Sequence, residues 1–305
     1  MELIKFILSN LIIALLLIII KPSYGQSNTV SYMGDNSENH KMDIYYNQSG
    51  KEQGINVLAL TAGGFIMTDK DDLKDKATEL SQSGYNVYVP NYSDVMYSEV
   101  CNKSHKVWYL PLQEIMAAAS WIEKNEKITD LYVYGESAGG IVALNFTYLN
   151  EASSFHKDLE KEFGNKTKLG SHTLSIKGVF TVSAGVFDLS LFEAKNNTPL
   201  TMIHASCDQM VPYNTGTPLM CDEDAIEVFG SNSIYNRIKT YHSIQANLLS
   251  ICNANHDITD NNFLDQFKKF TNFIESKHSF KSKREVFKPT LNSNEMIPCD
   301  NIICK

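Results

Sequence analysis

Residues 131–140 constrain the fold of this chain more than any other stretch of its sequence. They begin with the apolar, strand-forming run Leu-Tyr-Val-Tyr, continue as Gly-Glu-Ser-Ala-Gly and pass directly into helix-forming residues. A serine at the apex of such a turn has a strained backbone, and the flanking glycines let strand and helix approach closely. The sequence therefore predicts a sharp strand–turn–helix unit that exposes the hydroxyl of Ser137.

Strand and helix patterns alternate along most of the chain. After an opening hairpin at 30–33 and 42–46, strands are predicted at 55–60, 85–89, 131–134, 176–182, 200–204 and 245–251, and helices at 71–83, 107–125, 137–149, 231–242 and 258–276. Such alternation implies parallel strands joined by right-handed crossovers. We therefore expect an α/β protein with a doubly wound, mostly parallel sheet and helices on both faces.

Three segments interrupt this alternation. Residues 91–106 and 210–230 have no clear period and are predicted to be irregular. Residues 150–172 are polar and charged, which fits either a surface insertion or a cap beside a cleft. Because no repeat or linker divides the chain, we expect one domain at 26–278 with cap and loop insertions, followed by a tail at 279–305.

The N-terminus has the features of a secretory signal. Lys5 precedes an apolar run at 6–20, and small residues lie around Gly25. This pattern predicts a signal peptide at 1–25 that is cleaved after Gly25. An uncleaved membrane anchor is the alternative, which the short, interrupted apolar run disfavours. The mature protein is then expected to be secreted or periplasmic, with no stable membrane insertion.

Charge and cysteine content narrow the partners and the compartment. The net charge of −8 is scattered, and no basic, aromatic-rich stretch precedes the tail, so no nucleic-acid partner is expected. The six cysteines predict disulfide bonds in an exported chain, although six allow 15 full pairings. Cys207 and Cys252 lie at the ends of two strands that should be neighbours, so we expect these two to pair.

The chemistry of Ser137 requires partners elsewhere in the chain. A serine hydroxyl is a poor nucleophile unless a general base takes its proton and a carboxylate orients that base. In an open parallel sheet these groups come from loops at the carboxyl ends of strands. Asp208 follows the strand at 200–204 in a polar turn and is the predicted acid. Asp188 is the rival, although a helix cap would explain it.

The predicted general base is His256. It lies in the loop after the strand at 245–251, and so it follows the acid in the required order. His242 and His278 are the other histidines after Asp208, but both lie at helix ends. Glu136, beside the serine, is predicted to point away from it and to order the turn.

Backbone donors for a negatively charged oxygen are the third requirement. Gly63 and Gly64 come shortly after the strand at 55–60 and can present bare N–H groups, and the N–H of Ala138 lies directly after the serine. These three residues are the predicted oxyanion hole.

Together these residues resemble the carboxylesterase and lipase branch of the α/β-hydrolases, particularly exported bacterial esterases. The likeness rests on the motif at 135–140, the turn at 208–213 and the late His256-Asp257 pair. The chain has Thr61-Ala62 where the family has His-Gly, and His204-Ala205 where a His-Gly pair is common. The resemblance implies the α/β-hydrolase fold, a small-molecule ester as substrate, and neither a metal nor an organic cofactor.

The expected activity is hydrolysis of carboxylic esters through an acyl-enzyme intermediate. A triad does not by itself distinguish esters from amides, so a peptidase on the same fold is an alternative. A catalytically inactive binding protein is another, because the loop at 61–62 departs from the family pattern. Acyl and alcohol specificity depend on segments 91–106, 150–172 and 210–230, which the sequence does not resolve.

Overall fold

The computed structural model describes residues 28–50, 54–149, 154–163, 172–192, 197–218, 221, 225–241, 244–258, 263–275, 282–288 and 304. The predicted signal peptide at 1–25 lies outside these ranges. Within them, no helix combines the length and the apolar character that crossing a membrane requires.

The elements of the described chain are as follows. The strands are β1 Asn28–Ser31, β2 Lys41–Tyr45, β3 Ile55–Leu60, β4 Tyr85–Pro90, β5 Asp130–Glu136, β6 Ser175–Val182, β7 Gly185–Val186, β8 Leu200–Ala205, β9 Thr215–Gly216, β10 Val228–Gly230, β11 Ala246–Ile251 and β12 Lys283–Phe287. The helices are α1 Lys74–Gln82, α2 Tyr97–Val100, α3 Lys106–Glu126, α4 Ser137–Tyr148, α5 Ser154–Phe163, α6 Ser231–Tyr241 and α7 Phe263–Glu275.

Nine strands form the central sheet in the order β1-β2-β4-β3-β5-β6-β8-β11-β12. The hairpin β1–β2 is antiparallel and joins the sheet antiparallel to β4. All pairs from β4 to β12 are parallel. The predicted hairpin and the predicted doubly wound, mostly parallel sheet are therefore confirmed. All loops after the parallel strands meet at one edge of the sheet.

Helices cover both faces of this sheet. On one face, α1 and α7 pack through apolar side chains such as Ala77 and Phe267. On the other face, α3, α4 and α6 pack through residues such as Ile115 and Leu144. Every residue of α4 is buried, because this helix lies between the sheet and α3. The helix that follows the Gly-Glu-Ser-Ala-Gly motif is thus enclosed by the core.

Several elements lie in segments for which the sequence predicted no regular structure. Helix α2 is part of 91–106, and α5 is part of 150–172. The strands β7, β10 and β9 form a small separate sheet, and two of them, β9 and β10, lie within 210–230. Strand β12 lies in the predicted tail and pairs with β11 at the edge of the central sheet. Helix α2 and these strands are too short or too exposed to have a strong apolar period, whereas α5 has Phe155, Leu159 and Phe163 at helical spacing, a signal that the sequence prediction did not use.

Two disulfides link distant parts of the described chain. Cys101 pairs with Cys221, with a Cα–Cα distance of 5.3 Å, and Cys252 pairs with Cys304 at 5.6 Å. The predicted Cys207–Cys252 bond is therefore wrong. The N–H of Cys252 bonds to the carbonyl of Phe287, so the end of β12 lies beside Cys252, and the sequence did not predict that strand. Cys207 is also disulfide-bonded.

Removing the ring of Phe267 should be costly, because this side chain is fully buried and contacts the rings of Tyr134 and Phe180. We expect Phe267→Ala to lower the free energy of unfolding by about 3–5 kcal/mol in urea titrations. The matched control is Phe287→Ala, since that ring is 55% exposed on β12 and its loss should change stability by no more than about 0.5 kcal/mol. Equal losses in the two variants would contradict the core assignment.

Candidate active site

The turn between β5 and α4 has the predicted strained geometry. Ser137 has a φ of +50°, in the left-handed region that residues with a Cβ rarely adopt. A Cβ at Gly135 would overlap the carbonyl oxygen of Gly139, and one at Gly139 would overlap the carbonyl oxygen of Leu60. Ser137 is only 6% exposed, so the turn presents its hydroxyl to neighbouring protein groups rather than to bulk solvent.

The structure brings Ser137, His256 and Asp208 together. The Oγ of Ser137 lies 3.0 Å from Nε2 of His256, and Nδ1 of His256 lies 2.8 Å from Oδ2 of Asp208. The three residues follow β5, β11 and β8, respectively, at the carboxyl edge of the sheet. This chain of contacts can carry a proton from the hydroxyl to the imidazole while the carboxylate orients the ring.

Four donors surround the Asp208 carboxylate. Its Oδ1 accepts from the backbone N–H groups of Met210 at 2.8 Å and Val211 at 2.9 Å. Its Oδ2 lies 3.2 Å from Nε2 of His204 as well as 2.8 Å from His256. Burial alone would raise the pKa of Asp208, but the hydrogen bonds from His204 and His256 outweigh burial and hold the pKa well below its ordinary value of 3.8.

His204 is a member of this cluster that the sequence analysis missed. It is fully buried at the end of β8, with Nδ1 2.8 Å from the Ser231 hydroxyl and Nε2 3.0 Å from the carbonyl oxygen of Val211. That carbonyl can only accept, so Nε2 carries a hydrogen and donates both to it and to Asp208. A histidine within an apolar strand, four residues before the acid, was the available signal.

Asp188, the alternative candidate for the acid, makes other contacts. The carboxylate of Asp188 accepts from the backbone N–H of Ser190 at 2.7 Å and from its hydroxyl at 2.8 Å, at the start of the short 3₁₀ helix Leu189–Phe192. The capping interpretation of Asp188 is thus confirmed. His242 and His278 lie outside the described residues.

The side chain of Glu136 lies on the face of the sheet that α1 covers, which is the face opposite α4. Its carboxylate pairs with Lys76 of α1, and the ammonium group of Lys76 also lies 5.3 Å from the ring centroid of Phe263. The side chain therefore ties the turn to α1, as the prediction that Glu136 orders the turn requires.

The loop at 61–64 begins beside this turn, because Leu60 of β3 pairs with Gly135 of β5. Gly63 has a φ of +111° and Gly64 a φ of +61°, conformations that favour glycine. The carbonyl of Gly63 points back into its own turn, where it accepts from the N–H groups of Ile66 and Met67. Ala138 lies in the first turn of α4, where backbone N–H groups have no partner within the helix.

Comparison with solved structures finds several esterases. A truncated carbohydrate esterase from gut microbiota is 17% identical, and the alignment covers 84% of this chain and 97% of that one with a TM-score of 0.57. Esterase B from Lactobacillus rhamnosis, inhibited by a tributyrin phosphonate, is 13% identical over 84% of this chain and 88% of that one, with a TM-score of 0.58.

A third similar structure is a thermophilic esterase from Thermogutta terrifontis with propionate bound. It is 13% identical over 86% of this chain and 98% of that one, with a TM-score of 0.56. Neither a protein-family model nor a curated protein matches the sequence. The likeness therefore lies in the arrangement of the elements, and the chain has an α/β-hydrolase fold.

Proposed function

We propose that this protein is a serine hydrolase that cleaves carboxylic esters through an acyl-enzyme intermediate. The observation that carries the proposal is the chain of contacts from Ser137 through His256 to Asp208, with distances of 3.0 and 2.8 Å. Both lie within the range of hydrogen bonds that transfer or orient protons. The similarity to esterase structures, one of them inhibited by a phosphonate, supports the same chemistry.

In this mechanism the oxygen of Ser137 attacks the ester carbonyl carbon while Nε2 of His256 takes the hydroxyl proton. The carbonyl oxygen becomes negatively charged, and the N–H groups of Gly63, Gly64 and Ala138 donate hydrogen bonds to it. When the C–O bond breaks, His256 returns the proton to the leaving alkoxide, and the alcohol departs. A water molecule then attacks the acyl-enzyme in the same way and releases the acid.

The contacts of Asp208 suit the role of an orienting carboxylate. Because two backbone N–H groups and His204 also donate to it, the carboxylate stays ionised and cannot rotate freely. A carboxylate held in this way accepts from Nδ1–H of His256 and leaves Nε2 unprotonated, which is the tautomer that can accept the serine proton. It also stabilises the imidazolium that forms during attack.

Replacing Ser137 with alanine should remove the nucleophile without adding bulk. We expect kcat/KM on short-chain aryl esters to fall by at least about a thousandfold in Ser137→Ala, and labelling by a fluorophosphonate to disappear. Wild-type protein that folds but neither turns over esters nor reacts with the fluorophosphonate would instead indicate a binding protein. Undiminished turnover in the variant would refute the assignment of the nucleophile.

The two candidate acids provide a matched pair of variants. Asp208→Asn should lower kcat by about 10⁴-fold, because an amide favours the wrong tautomer of His256. Asp188→Asn makes the same chemical change at a carboxylate that contacts Ser190, so kcat should stay within about twofold of wild type. The reverse ranking of the two variants on the same ester would reassign the acid.

The same substitution at Asp208 should alter how stability depends on pH. Because the folded pKa of Asp208 is lowered, its contribution is complete above its ordinary pKa of 3.8 and is lost as the pH falls further. Asp208→Asn is expected to be less stable than wild type by about 1–3 kcal/mol at neutral pH. Urea titrations should show this gap narrowing near pH ~3. A gap that widens in acid would contradict the direction of the pKa shift.

A further inference from the structure

A small apolar cavity lies among the segments that surround the proposed active site. Its volume is about 30 Å³. The lining is contributed by the loop after β3, by α3 and α4, by Phe187 after β7, and by the segment after Asp208. Among the residues that the structure describes, no charged side chain lines it, so it suits an apolar group.

Three lining residues connect the cavity to the proposed machinery. Ile141 lies one turn of α4 beyond Ser137, on the same side of the helix. Phe65 directly follows the loop at 61–64. Val211 donates its N–H to the Asp208 carboxylate at 2.9 Å. The cavity therefore lies beside the helix that begins at Ser137 and beside the segment that holds the Asp208 carboxylate.

A stack of aromatic rings forms one wall. The rings of Trp108 and Phe187 lie 5.3 Å apart between centroids and are nearly parallel, at 20°. His105 packs edge-on against both rings and accepts a hydrogen bond of 3.2 Å from the Trp108 indole. Trp108 is fully buried, whereas Phe187 is half-buried, so the inner ring is held in place and the outer ring bounds the cavity.

The outer wall is braced by long-range links. Val100 and Pro218 line the cavity from two separate segments, which the Cys101–Cys221 disulfide joins. From outside, Glu162 of α5 accepts hydrogen bonds from the loop that carries Ser104, another lining residue, at 2.8 Å and 3.0 Å. These links hinder expansion of the cavity, because either segment would have to move against the other.

The volume limits what can enter. Pockets that bury drug-sized ligands have volumes of about 300–1,000 Å³, and this cavity of about 30 Å³ is far smaller. Because its walls are also braced, the space favours a short acyl chain over a long one.

We infer that this cavity is the acyl-binding site and that Phe187 restricts the substrates to esters of short-chain acids. This inference rests on the proposed ester hydrolysis and adds the chain length of the acid. Wild-type kcat/KM should be at least about a hundredfold higher for an aryl acetate than for the aryl octanoate, since each unaccommodated methylene weakens transition-state binding.

The test is the ratio of kcat/KM for aryl octanoate to that for aryl acetate in Phe187→Ala. Loss of the ring opens the wall, so this ratio should rise at least about tenfold. Phe187→Leu should raise it less and serves as a second variant if the alanine protein does not fold. The control is Phe163→Ala, which removes another half-buried ring stacked on an α3 aromatic, Tyr109, at 5.1 Å, away from the cavity. Its ratio should match wild type.

The outcomes separate this inference from the proposed function. Wild-type turnover of octanoate as fast as acetate, or equal ratios in the Phe187 and Phe163 variants, would overturn the acyl-length inference while ester hydrolysis stood. Wild-type protein that hydrolyses none of the aryl esters and resists fluorophosphonate would overturn both. An acetate preference that only the Phe187 variants relax would support both.

Discussion

The close contact between the first turn of α4 and the end of β3 is the constraint on which the rest of the site depends. Gly139 allows this contact, because any Cβ there would overlap the carbonyl oxygens of Leu60 and Thr61. The approach holds Ser137 in a left-handed conformation that costs about 1–3 kcal/mol and persists because the buried helix and sheet leave no alternative. The same contact places the start of the loop at 61–64 beside the turn that carries the serine.

The buried polar cluster around Asp208 is a second constraint on the site. Taking a carboxylate out of water is unfavourable unless several donors compensate. Here two backbone N–H groups and two histidines do so, and His204 is itself satisfied by Val211 and Ser231. Because each member would be left unsatisfied if another moved, the cluster stabilises one geometry. The position of His256 is therefore determined by packing within β8 and α6 as well as by its own loop.

Sequence reasoning anticipated which residues lie in contact where a local signal coincided with a rule of chain order. The turn at Ser137 has a steric signature, the alternating elements have a period, and the order of acid and histidine selects Asp208 and His256 for the contacts that the structure contains. It failed where contacts are long-range. The pairing of Cys252 with Cys304 depends on β12, an exposed edge strand whose charged residues resemble a tail. His204 was missed because its position four residues before the acid is a weak signal, and a histidine in an apolar strand is more often a core residue.

This division has a physical reason. Proton transfer requires particular groups within about 3 Å of one another, and few residue types at few backbone positions can provide them. Residues that carry out such chemistry are therefore recognisable as a sequence motif. An apolar cavity requires only bounded volume, which many residues from many segments can supply. The walls here come from α2, α3 and the segments near 187 and 218, and a disulfide joins the end of α2 to the segment near 218. The shape of such a cavity therefore depends on packing between segments that are distant in sequence. It can be described only when the positions of these segments in space are known.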